Sequence, residues 1–239
     1  MVRIFAPPES LTGDRATLDQ ASHRHLIKVL RLVQGDALRV FDGQGLEIDA
    51  IIDKVDKKSV ELILGERRRL PLPLASITLL QSPPKNDRME YIVQKTTELG
   101  VTRIIPVLTR QGILRPSDDK VVRWRTIAME AARQCGRADI PMVNNTTELS
   151  EALVEIQPST HAIMLWEEER STTFRQALAT GPKHVAILVG PEGGFSQGEA
   201  DACQAAGFIR ASLGPRILRA DTAAIVAVAL AQSSAGGLD

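Results

Sequence analysis

Aromatic side chains are scarce in this chain: two Trp, one Tyr and five Phe among 239 residues. That scarcity speaks against the open aromatic platforms on which single-stranded RNA bases stack. The two cysteines, Cys135 and Cys203, lie far apart inside helical patterns. They indicate neither a disulfide framework nor a metal pair, and both read as buried free thiols, with no metal expected. Neither sign of charge is in excess, because 29 Lys and Arg balance 29 Asp and Glu. The whole molecule therefore carries no nucleic-acid signature, although cations can still gather on one face. No apolar run is long enough to span a bilayer, Ala223–Leu230 included, and no secretory h-region opens the chain. A cytoplasmic protein without membrane contact is expected. The remaining composition, 44% hydrophobic and 24% charged, is that of an ordinary globular chain.

Residues 1–70 carry short β-type runs at Arg3–Ala6, Ala37–Phe41, Glu47–Val55 and Ser59–Leu64. Turn signals such as Asp42-Gly43-Gln44-Gly45 separate them, and one helix is expected over Asp19–Leu30. This predicts a small β-barrel with a helix. Leu70-Pro71-Leu72-Pro73-Leu74 then reads as a stiff linker. From residue 74 to 239, strands and helices alternate. Strands are expected at Ser76–Gln81, Arg103–Leu108, Ala162–Trp166, His184–Val189 and Ile209–Ala211. Helices are expected at Arg88–Leu99, Asp118–Cys135, Thr147–Val154, Thr173–Ala179, Gln197–Ala206 and Asp221–Gln232. The alternation predicts an α/β domain with a parallel sheet.

The strongest local signal is Ile187-Leu188-Val189-Gly190-Pro191-Glu192-Gly193-Gly194-Phe195-Ser196, where an apolar strand empties into a glycine-rich loop before a helix. No Gly-Lys-Ser/Thr follows, and the spacing is not Gly-x-Gly-x-x-Gly, so neither phosphate-binding fingerprint applies. Glu192 would repel a phosphate; a neutral or cationic ligand held by backbone groups fits better. A second loop, Leu213-Gly214-Pro215-Arg216-Ile217-Leu218-Arg219-Ala220-Asp221-Thr222, also lies between a short strand and an apolar helix. The plain reading is a helix approach, with Asp221 or Thr222 as N-cap and the arginines solvated. The functional reading is an apolar slot for a flat base, flanked by guanidinium groups.

These two loops together resemble the paired signature of the 16S rRNA (uracil(1498)-N(3))-methyltransferase family, a branch of the SPOUT methyltransferases. The likeness extends along the chain, through His25-Leu26-Ile27-Lys28-Val29-Leu30-Arg31, Lys85 to Gly100, and Glu130 to Arg137. It implies an N-terminal PUA-like RNA-binding β-barrel and a C-terminal α/β domain with a trefoil knot. It also implies S-adenosylmethionine as cofactor, 16S rRNA of the small ribosomal subunit as substrate, and a homodimer. Carried over, the cofactor would meet Leu165, Gly190, Pro191, Glu192, Gly193, Gly194, Leu213, Gly214, Ile217, Leu218 and Thr222. Two positions depart from the family pattern: Asp221 stands where Glu is usual, and Thr109-Arg110-Gln111-Gly112 replaces a Thr-Glu-Arg-Ser stretch.

N3 of uracil is a weak acid, so the enzyme must align it with the methyl group and ease the loss of its proton. Arg219 is the candidate for stabilising the charge that develops. Glu130 is the first candidate proton acceptor, with Glu98 and Glu192 as alternatives; for Glu98 and Glu130 the plain reading is an ordinary helix-face acid, and Glu130 has the spacing to pair with Arg133. Arg24, His25, Lys28 and Arg31 on the N-terminal helix, with Arg133 and Arg137 one turn apart, are the candidate RNA contacts. Arg67-Arg68-Arg69 reads as a further basic cluster at the linker. The competing expectations are a SPOUT enzyme with another target base, and a non-catalytic RNA-binding protein.

Overall fold

The structure, a computed structural model, describes residues 1–238. The chain forms two units. The first is Met1–Leu72 with Ala132–Ile140, and the second is Pro73–Ala131 with the chain from Pro141 onward.

The first unit is a five-stranded sheet of β1 (Arg3–Phe5), β2 (Arg15–Leu18), β3 (Ala37–Phe41), β4 (Leu46–Val55) and β5 (Val60–Arg69), in the order β1-β3-β4-β5-β2. Only the β1–β3 pair is parallel. Side chains of alternate strand residues point to one face. That rule buries Leu38 and Val40, then Ile48, Ala50 and Ile52, then Val60, Leu62 and Leu64. Leu26 joins this core from the helical segment. α1 (Gln20–His23) starts where Asp19 accepts a hydrogen bond from the Ser22 amide at 2.9 Å. It continues as a π-helical turn over Arg24–Val29 and closes with the Leu30 amide donating to His25 O at 3.0 Å. The expected helix is therefore present, with a wider second half. Arg31 lies beyond it at φ 58°, in the left-handed region.

Two expectations about this unit are corrected. β2 carries no strand signal in the sequence, because Arg15-Ala16-Thr17-Leu18 offers only two apolar residues. Arg67, Arg68 and Arg69 belong to β5 and not to a linker. Arg67 donates to the carbonyls of Leu11 and Gly13 at 2.8 and 2.6 Å, and Arg68 pairs with Asp49. Glu47 is 3% exposed and is paired with Arg3 at 2.8 Å and Arg39 at 3.4 Å. The Arg3 guanidinium also covers the Phe41 ring at 4.9 Å and donates to the carbonyls of Ala132, Arg133 and Arg137. A carboxylate this buried requires such partners.

The second unit holds β6 (Ser76–Gln81), α2 (Arg88–Glu98), β7 (Arg103–Leu108), α3 (Asp118–Cys135, whose last turn counts with the first unit), β8 (Met142–Val143), β9 (Thr147–Glu148) and α4 (Leu149–Glu155). It continues with β10 (His161–Leu165), α5 (Phe174–Ala177), β11 (His184–Val189), α6 (Gln197–Ala205), β12 (Ile209–Ala211) and α7 (Ala220–Ser234). The strands pair in parallel in the order β12-β10-β11-β6-β7-β8, and β9 pairs with β7. Central strands of such sheets are covered on both faces, which explains their unbroken apolar runs. Ile77, Leu79 and Leu80, and Ala186, Ile187 and Leu188, are fully buried. After β12 forms the edge, the chain returns to the sheet centre, where α7 packs on β6, β11 and α2. Gln232 fixes that return by donating to the carbonyls of Gly100 and Ala75 at 2.8 and 3.2 Å. Of the two thiols, Cys203 is buried as expected, but Cys135 is exposed at the end of α3. Among the described residues, no helix is long and apolar enough to cross a membrane.

Candidate active site

β10, β11 and β12 run parallel, so Leu165, Val189 and Ala211 end them on the same side. In open parallel sheets, ligands bind outside those carboxyl ends. A cavity of about 330 Å³ lies there. Its walls come from three segments: Leu165 to Arg170, the first glycine loop, and the second loop with the start of α7.

The first loop is shaped by what glycine lacks. A Cβ on Gly190 would stand 2.8 Å from Cε2 of Phe195, so the ring closes under the loop only because none is there. Pro191 to Gly194 is a turn in which the Gly194 amide donates to Pro191 O at 3.0 Å, with Gly194 at φ +69°. Glycine reaches that region without steric cost. Ser196 then caps α6. Its amide and hydroxyl donate to Glu199 Oε2 at 2.8 and 2.7 Å, the reciprocal arrangement of a capping box. Glu199 Oε1 accepts from the Arg110 amide at 2.6 Å, which ties the 109–112 turn to this helix. Glu192 accepts from the Lys85 amide at 3.0 Å.

In the second loop, Gly214 sits at φ +105°, Leu213 and Leu218 are half-buried, and Ile217 is 81% exposed at the cavity wall. The helix that follows is not capped as expected. Arg219 holds the N-cap position in an extended conformation with no side-chain cap. Asp221 falls in the first turn instead, 3.8 Å from Arg88, where a carboxylate complements the helix dipole.

Between the loops stands Trp166, with the Arg210 guanidinium 5.6 Å from its ring centre. Arg210 is held by Asp201 at 2.7 Å, and that pairing keeps the Asp201 carboxyl below its ordinary range. Arg170 donates to the carbonyls of Glu167 and Glu169 at 2.5 and 3.2 Å. The Ser171 hydroxyl, with the Ser171 and Thr172 amides, lowers the Glu169 carboxyl and fixes the same turn. Three carboxylates (Glu167, Glu168, Glu192) and three guanidinium groups (Arg170, Arg216, Arg219) line the cavity. Balanced charge, exposed backbone and aliphatic side chains suit a mid-sized ligand with a flat apolar part, not a polyphosphate.

Comparison with known proteins decides the family. The family model of an RNA methyltransferase domain matches residues 70–232, and that of an RNA methyltransferase PUA domain matches residues 18–65. Ribosomal RNA small subunit methyltransferase E of Synechocystis is 34% identical over 95% of this chain and 76% of its own length. The chain belongs to the ribosomal RNA small subunit methyltransferase E family. The Bacillus subtilis protein of that name is 29% identical over 93% of this chain and 89% of its own. The Neisseria gonorrhoeae member, solved bound to S-adenosylmethionine, superposes with a TM-score of 0.90 at 30% identity, covering 98% and 97% of the two chains. Lpg2936 of Legionella pneumophila, solved with the same molecule, gives 0.89 at 34% identity, covering 97% of each. A PUA domain followed by a SPOUT-type α/β domain is thus the fold of this chain.

Of the residues that the resemblance pointed to, Leu165, Gly190, Pro191, Glu192, Gly194, Leu213, Gly214, Ile217, Leu218 and Arg219 line the one cavity. Gly193 and Thr222 do not. Gly193 instead backs onto Gln111, whose Cβ would lie 3.2 Å from an added Cβ. Glu130 is not in the lining either. α3 buries Val121, Trp124, Ala128 and Ala131, which leaves Glu130 on its exposed face. Arg24, Lys28 and Arg31 are exposed on the first unit and His25 is half-buried. Arg133 and Arg137 do not share a helical turn, because Gly136 at φ +89° ends the helix between them. Arg137 is paired with Asp139 at 2.5 Å and its side chain is 11% exposed. Sequence reasoning missed Glu167, Glu168, Arg170, Phe195 and Ser212 as wall residues. The signal was available: Glu167-Glu168-Glu169-Arg170 follows the carboxyl end of an expected strand, as the two glycine loops do.

Proposed function

We propose that this protein transfers a methyl group from S-adenosylmethionine to N3 of one uridine in the 16S rRNA of the small ribosomal subunit. The observation that carries the reading is the convergence of both signature loops on one cavity at the ends of β10, β11 and β12. Membership in a family whose relatives bear the small-subunit methyltransferase name supports the substrate. The residues present fit the cofactor: the left-handed Gly194 and the Cβ-free Gly190 leave backbone within reach of a ligand, and Leu213 and Leu218 offer apolar surface. Leu165, Gly190, Gly194, Leu213, Ile217 and Leu218 would hold it, and when bound it supplies an electrophilic methyl group.

The chain's own task is alignment and charge. Holding two reactants in register is worth on the order of 7–11 kcal/mol in well-oriented models. Arg219, at the mouth of α7, stabilises the uracil oxygens as N3 loses its proton. Glu130 is left out of this reading because it does not line the cavity. Arg24, His25, Lys28 and Arg31 of the PUA unit contact the RNA backbone, a salt-sensitive and sequence-independent contribution. We further propose that the protein works in the cytoplasm as a homodimer and that the path into α7 forms the trefoil knot. The test is incubation with labelled S-adenosylmethionine and unmodified small subunits, followed by nucleoside digestion. Label in 3-methyluridine is expected, and its loss in Arg219→Ala at unchanged thermal stability is expected with it. Label in another nucleoside overturns the target base. No label, with cofactor bound, overturns the enzyme reading.

A further inference from the structure

The two molecules that this cavity must handle differ in charge. S-adenosylmethionine carries a sulfonium, an ammonium and a carboxylate, a net single positive charge. Loss of the methyl group leaves a thioether that keeps the other two groups and is neutral overall. A site that empties after each turnover gains from sensing that difference. The cavity's arginines cannot supply the attraction: Arg170, Arg216 and Arg219 would attract the carboxylate, which both molecules share.

The carboxylates can. Glu192 is tied to the Lys85 amide. Glu167 and Glu168 line the wall, and neither carboxylate has a hydrogen-bond or ion-pair partner among the described residues. Glu167 is the one placed against the first glycine loop, with Oε1 3.3 Å from where a Cβ on Gly194 would be. Its backbone is held in place by Arg170, which donates to its carbonyl. The absence of a side chain at Gly194 thus leaves a free carboxylate oxygen beside the loop that would hold the cofactor.

We propose that Glu167 selects the cofactor over the demethylated product by charge. It is a specificity-determining residue of the cavity wall, and the inference rests on S-adenosylmethionine being the cofactor. Because the side chain is solvent-exposed, the effect is a screened one. Glu167→Gln is expected to weaken S-adenosylmethionine binding about 3- to 5-fold, the scale of an exposed charge pair, and to leave S-adenosylhomocysteine unchanged. Glu167→Asp is expected to keep part of the preference.

The experiment is isothermal titration of the full chain with both molecules and with sinefungin, which carries an amine in place of the sulfonium. Sinefungin is expected to follow the cofactor. In wild type, rising ionic strength is expected to shrink the preference, and in Glu167→Gln to leave it flat. Equal weakening of the cationic and neutral ligands overturns the proposal in favour of a hydrogen-bonding or packing role. No change in any of them overturns it as well. Wild-type protein that binds none of the three overturns the cofactor reading, and the inference with it.

Discussion

Gly190 and Gly214 both lie in the signature loops, yet alanine should harm them for different reasons. At Gly190 the obstacle is a neighbour: the new Cβ would stand 2.8 Å from Phe195 Cε2 and 3.1 Å from Cδ2. Carbon atoms rest about 3.5–4.0 Å apart, so the ring must retreat by roughly 0.7 Å or more. Phe195 is 9% exposed and packs in the core with Leu188, Ala200 and Phe208 on one side while lining the cavity on the other, so it retreats either against packed neighbours or into the cavity. Overpacking of this kind costs about 1–3 kcal/mol, which for a chain of this length lowers Tm by roughly 2–12 °C. The same displacement moves the floor of the cavity, so cofactor affinity falls as well. At Gly214 nothing lies within 4 Å and the obstacle is φ +105°. Alanine there bears about 1–2 kcal/mol of left-handed strain and relieves it by moving the loop. Thermal melts with and without S-adenosylmethionine separate the two cases. Gly190→Ala should lose intrinsic Tm and ligand-induced Tm shift together, whereas Gly214→Ala should lose mainly the ligand-induced shift. A Gly190→Ala protein that melts and binds as wild type would falsify the packing argument.

Arg3→Met should destabilise the PUA unit by about 2–4 kcal/mol, because it strips the nearer partner from a buried carboxylate; Arg39, 3.4 Å from Glu47, keeps the loss below that of an unpaired charge. Chemical denaturation monitored on the full chain checks this, and an unchanged midpoint would contradict it. Cys203 is buried, and burial, ahead of the nearby Glu199 charge, pushes its thiol up to about 12. A thiol reagent at neutral pH should therefore modify exposed Cys135 alone in the native protein, and both thiols after denaturation. The Asp19 carboxyl is held below its ordinary value, first by the Ser22 amide that it caps and then by the Ser22 hydroxyl. Its folded pKa is depressed, so its contribution is present above the unfolded value near 3.8 and fades as pH falls through the folded one. Asp19→Asn should keep the cap at neutral pH and lose less stability than wild type on acidification, as read from paired melts.

Much of the fold could be read from the chain because its signals are local. The apolar runs at 76–81, 103–108 and 184–189 are strands with the expected ends. Gly194 and Gly214 sit where positive φ is required. What escaped reading depends on distant partners. Arg67 and Arg68 look like a solvated basic cluster until Leu11, Gly13 and Asp49 are brought beside them. Arg137 reads as the partner of Arg133 one turn on in a basic patch, but Gly136 stops the helix between them and Asp139 takes the Arg137 guanidinium. The 109–112 turn is anchored by a residue far along the chain, because its Arg110 amide reaches Glu199 at the start of α6.

The same distinction between local and distant information separates the two candidates for the chemistry. Arg219 is placed by its own loop: Gly214 turns the chain, Leu218 settles against the wall, and the next residue opens α7. Its position follows from residues within a few steps of it. Glu130 belongs to a helical block, and a helical block specifies a face without saying what that face meets. Trp124, Ala128 and Ala131 take the buried side of α3, and the 3.6-residue repeat then obliges Glu130 to the other. A proton acceptor must reach the atom it serves, whatever its pKa. The carboxylates along the cavity are Glu167 and Glu168, with Glu192 tied to the Lys85 amide. Arg219 is therefore the candidate whose placement matches the proposed role in the loss of the N3 proton, while Glu130, on the exposed face of α3, does not line this cavity.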